Sequence, residues 1–131
     1  MKYIVFDLEW NQGYPSKEES DKSLPFEIIE IGAVKLDENF TIIDSFHRII
    51  KPIVYPELFK YTKELIPLTE KDLSKGTDFV TACKDFLKWC RKGDRNYSFA
   101  TWGTLDLLEL QRNMAFFDVY NGFSRPLYYY N

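Results

Sequence analysis

The chain has 131 residues, 28% of them charged and 45% hydrophobic, a composition that suits one globular domain over residues 1–131 and excludes a disordered or fibrous chain. Its net charge of -3 argues against a general polyanion-binding surface, yet leaves room for a nucleic-acid enzyme whose acidic site gathers metal ions that supply positive charge. Met1-Lys2 leads straight into an apolar strand and no apolar run approaches the ~20 residues of a membrane span, so a cytoplasmic protein with no membrane contact is expected.

The first element, Tyr3 to Trp10, is rich in aromatic and β-branched residues and reads as a central strand buried on both faces. It ends on two acids. Strand side chains alternate, so Asp7 and Glu9 project from one face with Cα atoms ~6.5 to 7 Å apart, a pair suited to a hard divalent cation such as Mg2+ or Mn2+. Asn11 to Leu24 is a polar loop carrying Gly13 and Pro15 and is expected to be mobile. Phe26 to Leu36 is a second strand, Asp37-Glu38-Asn39 a tight turn, and Thr41 to Ile50 a third strand whose Ile42, Phe46 and Ile50 share a face.

After Lys51-Pro52 the pattern turns helical. Glu57 to Leu65 forms a short helix, Thr69-Glu70-Lys71-Asp72 is a capped start with Gly76 as its stop, and Asp78 to Lys92 is a longer helix. Phe79, Cys83, Phe86, Leu87 and Cys90 make its core stripe. The two cysteines are seven residues apart, ~10.5 Å along a helix, beyond the ~7 Å that a disulfide spans, and no close-set ligands suggest zinc. Tyr97 to Thr101 is a fourth strand, and a last helix runs from Trp102-Gly103-Thr104 to about Phe117.

Three antiparallel strands, helices, a returning strand and a helix fit an α/β sheet whose fourth strand lies parallel to the first through a right-handed crossover. That order sets Asp106, in the first turn of the last helix, on the same sheet edge as Asp7 and Glu9. Taken alone, an acid there complements the helix dipole. Three acids converging on one strand end point instead to a divalent-metal centre for phosphoryl chemistry.

Val5-Phe6-Asp7-Leu8-Glu9 resembles the first motif of the DEDD-type (DnaQ-like, DEDDh) 3'-to-5' exonucleases, whose fold is ribonuclease-H-like. Glu27 to Val34 resembles their second strand, and Thr101-Trp102-Gly103-Thr104-Leu105-Asp106 their second motif, particularly in the branch that trims RNA 3' ends. The resemblance implies that Asp7 bridges two metal ions, that Glu9 holds the one that activates water, and that Asp106 positions the other. Two ions roughly 4 Å apart then clamp the scissile phosphate of a single-stranded RNA or DNA end, with RNA favoured by the branch alone.

The family's third motif, an acid preceded by a histidine or tyrosine base, has no counterpart in this sequence. The chain ends at Pro126-Leu127-Tyr128-Tyr129-Tyr130-Asn131, where the helices carrying that motif would begin, so a C-terminally incomplete domain of weak or no activity is expected. His47 lies in the third strand and is read as structural or surface. A sheet face left partly bare would favour self-association. Trp10, Asn11 and Gln12 follow the acids and are candidates to meet the terminal nucleotide, although Trp10 alternates with Ile4, Phe6 and Leu8 and reads equally as core. Trp102 is either a packing residue or a wall of the cleft. Lys17, Lys22, Arg95, Arg112 and Arg125 are scattered candidates for phosphate contacts, a pattern that solvated surface also gives.

Competing functions are a phosphotransferase with Asp7 as nucleophile, a non-catalytic binding module on the exonuclease fold, and a glycosidase-type acid pair. The first lacks the Thr or Val of such motifs, and the last is disfavoured because both acids share one strand face.

Overall fold

The computed structural model describes residues 1–119 apart from Glu18 and Asp94, together with the backbone of Tyr129–Tyr130. The apolar alternation of the first segment makes β1 (Lys2–Asn11), whose Ile4, Phe6 and Leu8 are at most 4% exposed. β2 (Glu27–Leu36) runs antiparallel to β1, and β3 (Ile42–Ile49) antiparallel to β2. On the other side β4 (Tyr97–Ala100) is parallel to β1, and a two-residue β5 (Tyr129–Tyr130) is parallel to β4. The described sheet therefore has the order β3-β2-β1-β4-β5, which is the expected mixed sheet with β1 at its centre.

Four described helices follow the strands: α1 (Lys60–Leu65), α2 (Glu70–Ser74), α3 (Phe79–Arg91) and α4 (Leu105–Phe116). The capping box read from the sequence is formed, since Thr69 and Asp72 each accept the other's backbone N–H, and Asp78 caps α3 by accepting from Thr81. α3 and α4 pack on the face of the sheet that carries Ile4, Phe6 and Leu8. Phe86 lies at the centre of that core, with its ring 5.9 Å from Phe6 and 5.4 Å from Phe46. Cys83 and Cys90 are free thiols in the same layer, and burial pushes each up to about 12. Two lysines rise through the sheet to the C-terminal carbonyls of α3: Lys35 Nζ donates to Trp89 O at 2.5 Å and Lys2 Nζ to Lys92 O at 2.6 Å.

The structure departs from the sequence reading in four places. β1 is buried on one face only; Tyr3 and Val5 on the other are half-covered and Asp7 is exposed, because α3 and α4 both pack on the first face. Ile42 does not share a face with Phe46. The register shift between Lys35 and Leu36 brings Ile42 opposite Leu36, and one extra residue in a ladder turns the following side chains over, so Ile42 is 63% exposed. α1 begins at Lys60 and not at Glu57 because tertiary bonds claim the preceding amides: Leu58 N donates to Glu70 and Phe59 N to Asn11. The loop after β1 is also tied down, with Leu24 fully buried and the Tyr55 hydroxyl bonded to Leu24 O and to Asp21 N.

A buried polar clamp organises this end of the sheet. Asn11 and Glu27 are cross-strand neighbours, 0% and 2% exposed. The Glu27 carboxylate accepts from the backbone amides of Ile53, Val54 and Tyr55, while Asn11 donates to Tyr55 O and Glu57 O and accepts from Phe59 N. Thr62 Oγ1 extends the clamp by bonding both backbone groups of Gln12. The Asn11 and Glu27 side chains are shielded from water, so breaking their bonds leaves buried polar groups unpaired at the cost of their desolvation. Asn11→Ala is expected to lower stability by about 3 kcal/mol in urea denaturation with an unchanged m-value.

Candidate active site

Alternation along β1 sets Asp7 and Glu9 on the open face, at the end of the strand that extends beyond β4. The β1–β4 pairing stops at Val5 and Ala100, so Leu8 has no strand neighbour on that side. Its amide is instead claimed by a side chain: Leu8 N donates to Asp106 Oδ2 at 3.0 Å. This one bond draws the first turn of α4 against β1 between the two other acids. Asp106 is half-buried there, close enough to Asp7 for the Asp7 charge to act on its carboxyl.

Burial and mutual repulsion set the electrostatics of these acids. Glu9 is held above the ordinary carboxylate range by burial first, and then by the charges of Asp7, Glu30 and Asp106. Asp106 is raised by burial and by Asp7, and only its backbone hydrogen bonds, that from Leu8 foremost, pull the other way. No described ion pair includes Asp7, Glu9 or Asp106. The donors are all carboxylate oxygens, which suit a hard divalent cation. As placed, however, no group of three or more acidic, histidine or cysteine side chains among the described residues surrounds a single point where an ion could sit.

The structure brings Asp7, Glu9 and Asp106 together and sorts the other expected residues differently. Asn11 does not join them, because its amide is fully buried and spent on the loop 55–59. Trp10 is half-buried against the core edge, and its ring stacks on Phe26 at 5.2 Å with 7° between planes. Trp102 is 100% exposed, so it packs beneath nothing. It stands in the β4–α4 turn, where Thr101 Oγ1 bonds Gly103 O. Of the basic residues named earlier, Arg112 pairs with buried Glu109, while Arg125 lies outside the described residues.

Glu30 is the acid that sequence reading missed. It sits opposite Glu9 on β2, and its carboxylate meets His47 Nε2 at 2.6 Å. His47 in turn shares a cross-sheet row with Gly32 and Asp7, exposed on the site's face. Finding Glu30 needs the β1–β2 register, and the loop joining those strands is too long to set it.

A family model described as RNase_T, exonuclease, matches residues 4–121. The chain belongs to this exonuclease family. The match bears out the resemblance to the DEDD-type 3'-to-5' exonucleases. Among curated proteins, the chain is similar to the probable 3'-5' exonuclease KapD of Bacillus subtilis (strain 168), 28% identical over 116 residues that make up 86% of this chain and 53% of the relative. The chain thus spans about half the length of that protein. Among solved structures it superposes on the nuclease domain of 3'hExo, a DEDDh family member bound to rAMP, with TM-score 0.75 and 20% identity over 92% of this chain and 61% of that one. Cell-death related nuclease 4 (CRN-4) gives TM-score 0.74 and 18% identity over 90% and 40%. At such identities the likeness establishes a shared ribonuclease-H-like exonuclease fold.

Both upward shifts mean that the folded carboxyls hold their protons more tightly than the unfolded chain does. The fold therefore gains from them at low pH and loses that gain as pH rises from the ordinary carboxylate range through the raised values. Asp7→Asn removes a charge that acts on both groups. In thermal melts without divalent cations, the variant is expected to match the wild type near pH 4 and to exceed it by roughly 2 °C in Tm near pH 7.

Proposed function

We propose that this chain is a single metal-dependent 3'-to-5' exonuclease domain that acts on single-stranded nucleic acid ends, RNA in preference to DNA, in the cytoplasm. The observation that carries this reading is the convergence of Asp7, Glu9 and Asp106 at one strand end, where burial and neighbouring carboxylates raise Glu9 and Asp106. These three residues would hold Mg2+ or Mn2+ ions. When bound, two such ions supply charge for the attacking and leaving oxygens of the phosphodiester. The chain's own part is positional: the Leu8–Asp106 bond orients one carboxylate toward the β1 pair, and Trp102 offers a ring in open solvent on which a base can stack. RNA is favoured by the RNA-trimming branch that the second motif resembles. Two free buried thiols support the compartment.

Turnover is expected to be low. The one described histidine on the site's face, His47, is engaged by Glu30, which leaves no free histidine beside Asp7 among the described residues. End-labelled single-stranded RNA and DNA incubated in Mn2+ should shorten stepwise from the 3' end, RNA faster, with Asp7→Asn and EDTA each abolishing the reaction. A second reading, a non-catalytic binding module on the exonuclease fold, draws on the absence of a three-ligand ion position among the described residues. Strand binding in EDTA with no shortening in Mn2+ would select it.

Self-association belongs to the same proposal. The half-covered face holds a groove of about 350 Å3 lined by Tyr3, Val5, Leu36, Phe40 and Ala100. Phe40 is 66% exposed, rests its ring 5.1 Å from Tyr3 and adopts φ 62°, a conformation that favours glycine. Phe40→Gly removes the ring and the strain together. It is expected to keep or raise Tm while shifting sedimentation toward the monomer.

A further inference from the structure

On the helical side of the sheet, the outer edge of β3 and the last turns of α3 enclose an open groove of about 720 Å3. Although the chain carries net charge -3, the described residues lining this groove include Arg48, Lys88, Arg91, Lys92 and Arg95 against one acid, Asp85, with Asp44 beside them on the Trp89 ring nitrogen. Cations at a helix C-terminus commonly serve the helix dipole. Here Lys35 and Lys2, reaching up from the sheet, bond the carbonyls of Trp89 and of the cap residue Lys92, so the C-terminus of α3 already has two cations of its own. Nor does the fold use them in pairs, since no described ion pair includes Arg48, Lys88, Lys92 or Arg95. The floor is aromatic but capped: the Arg48 guanidinium lies 4.4 Å from the Phe46 ring centre and Lys35 Nζ lies 4.4 Å from that of Trp89. Such a surface presents charge and not bare rings. It suits a phosphodiester backbone and is indifferent to bases.

We infer that this groove holds the backbone of a single-stranded nucleic acid upstream of the end that lies at Asp7, Glu9 and Asp106. The inference rests on the proposed substrate class. The connection is geometric: successive residues of β3 face opposite ways, so His47 lies on the acidic face in the Asp7 row while Arg48 lies on the groove face. His47 is two strand spacings, about 10 Å, from Asp7, and a strand passing it turns over the β3 edge into the groove. A short oligonucleotide reaches only the acids. A long one reaches both.

The test is a charge-reversed triple, Lys88→Glu, Lys92→Glu and Arg95→Glu, chosen from exposed positions so that folding is spared and can be checked by circular dichroism. Binding of a single-stranded RNA of about 30 nucleotides is measured in EDTA across a salt series. A control triple, Lys71→Glu, Lys75→Glu and Lys84→Glu, carries the same net charge change elsewhere. The groove triple is expected to lose affinity on the order of 100-fold near 0.1 M salt, with the salt slope smaller by about 2, and the control to lose much less. Equal losses in both triples, or wild-type affinity and slope in the groove triple, would overturn the groove; the latter would leave it to an acidic protein partner. Failure of the exonuclease reading shows separately, as no shortening of a strand of about 5 nucleotides by the wild type in Mn2+.

Discussion

The bond from the Leu8 amide to the Asp106 carboxylate is the constraint on which the rest of the site depends. β1 outruns its parallel neighbour, and an extended strand with a bare edge must satisfy its backbone somehow. Had β4 continued beyond Ala100, the edge would be closed and the helix would start elsewhere. Because it stops, an acid from the first turn of α4 takes the position that a strand carbonyl would have filled. A backbone requirement has thereby placed a third negative charge beside two others, and the sheet geometry that creates the vacancy also defines the site.

Around this point the structure separates two uses of polar side chains. Asn11 and Glu27 are buried deeply, yet each has its full set of partners, and together they hold the segment 53–59 over the end of the sheet. Asp7, Glu9 and Asp106 are less buried and poorly compensated. Satisfied polar groups rigidify; uncompensated ones store a demand for a counter-charge. Having both within one strand, with Glu9 and Asn11 two residues apart, gives the acids a firm support without neutralising them.

Much of this was legible in the sequence where one strand or helix decides the outcome. The Asp7/Glu9 pair follows from alternation, the α2 cap from the Thr69–Asp72 spacing, and the α3 core stripe from helical period. What escaped required knowing how strands register. The shifts beside Glu9/Trp10 and Lys35/Leu36 each add a residue to a ladder, an event with no local signature, and they moved Ile42 to the open face and hid the partnership of Glu9 with Glu30. Asn11 was misread for a related reason. A polar residue two positions beyond an acid of the candidate site resembles a substrate contact until the loop that buries it, 44 to 48 residues away in the chain, is seen. Arg95 was read as a scattered surface charge because the groove also takes in Arg48 from β3 and Lys88 from α3, which only the fold brings beside the local Arg91 and Lys92.

The two thiols of α3 carry a practical consequence. Cys83 and Cys90 sit at the helix–sheet junction, sealed from solvent and held as protonated, unreactive thiols. An alkylating reagent can reach them only when α3 lifts from β1. The rate at which this protein takes up such a label at neutral pH is therefore a clock for the opening of its own core, built in without any engineered probe.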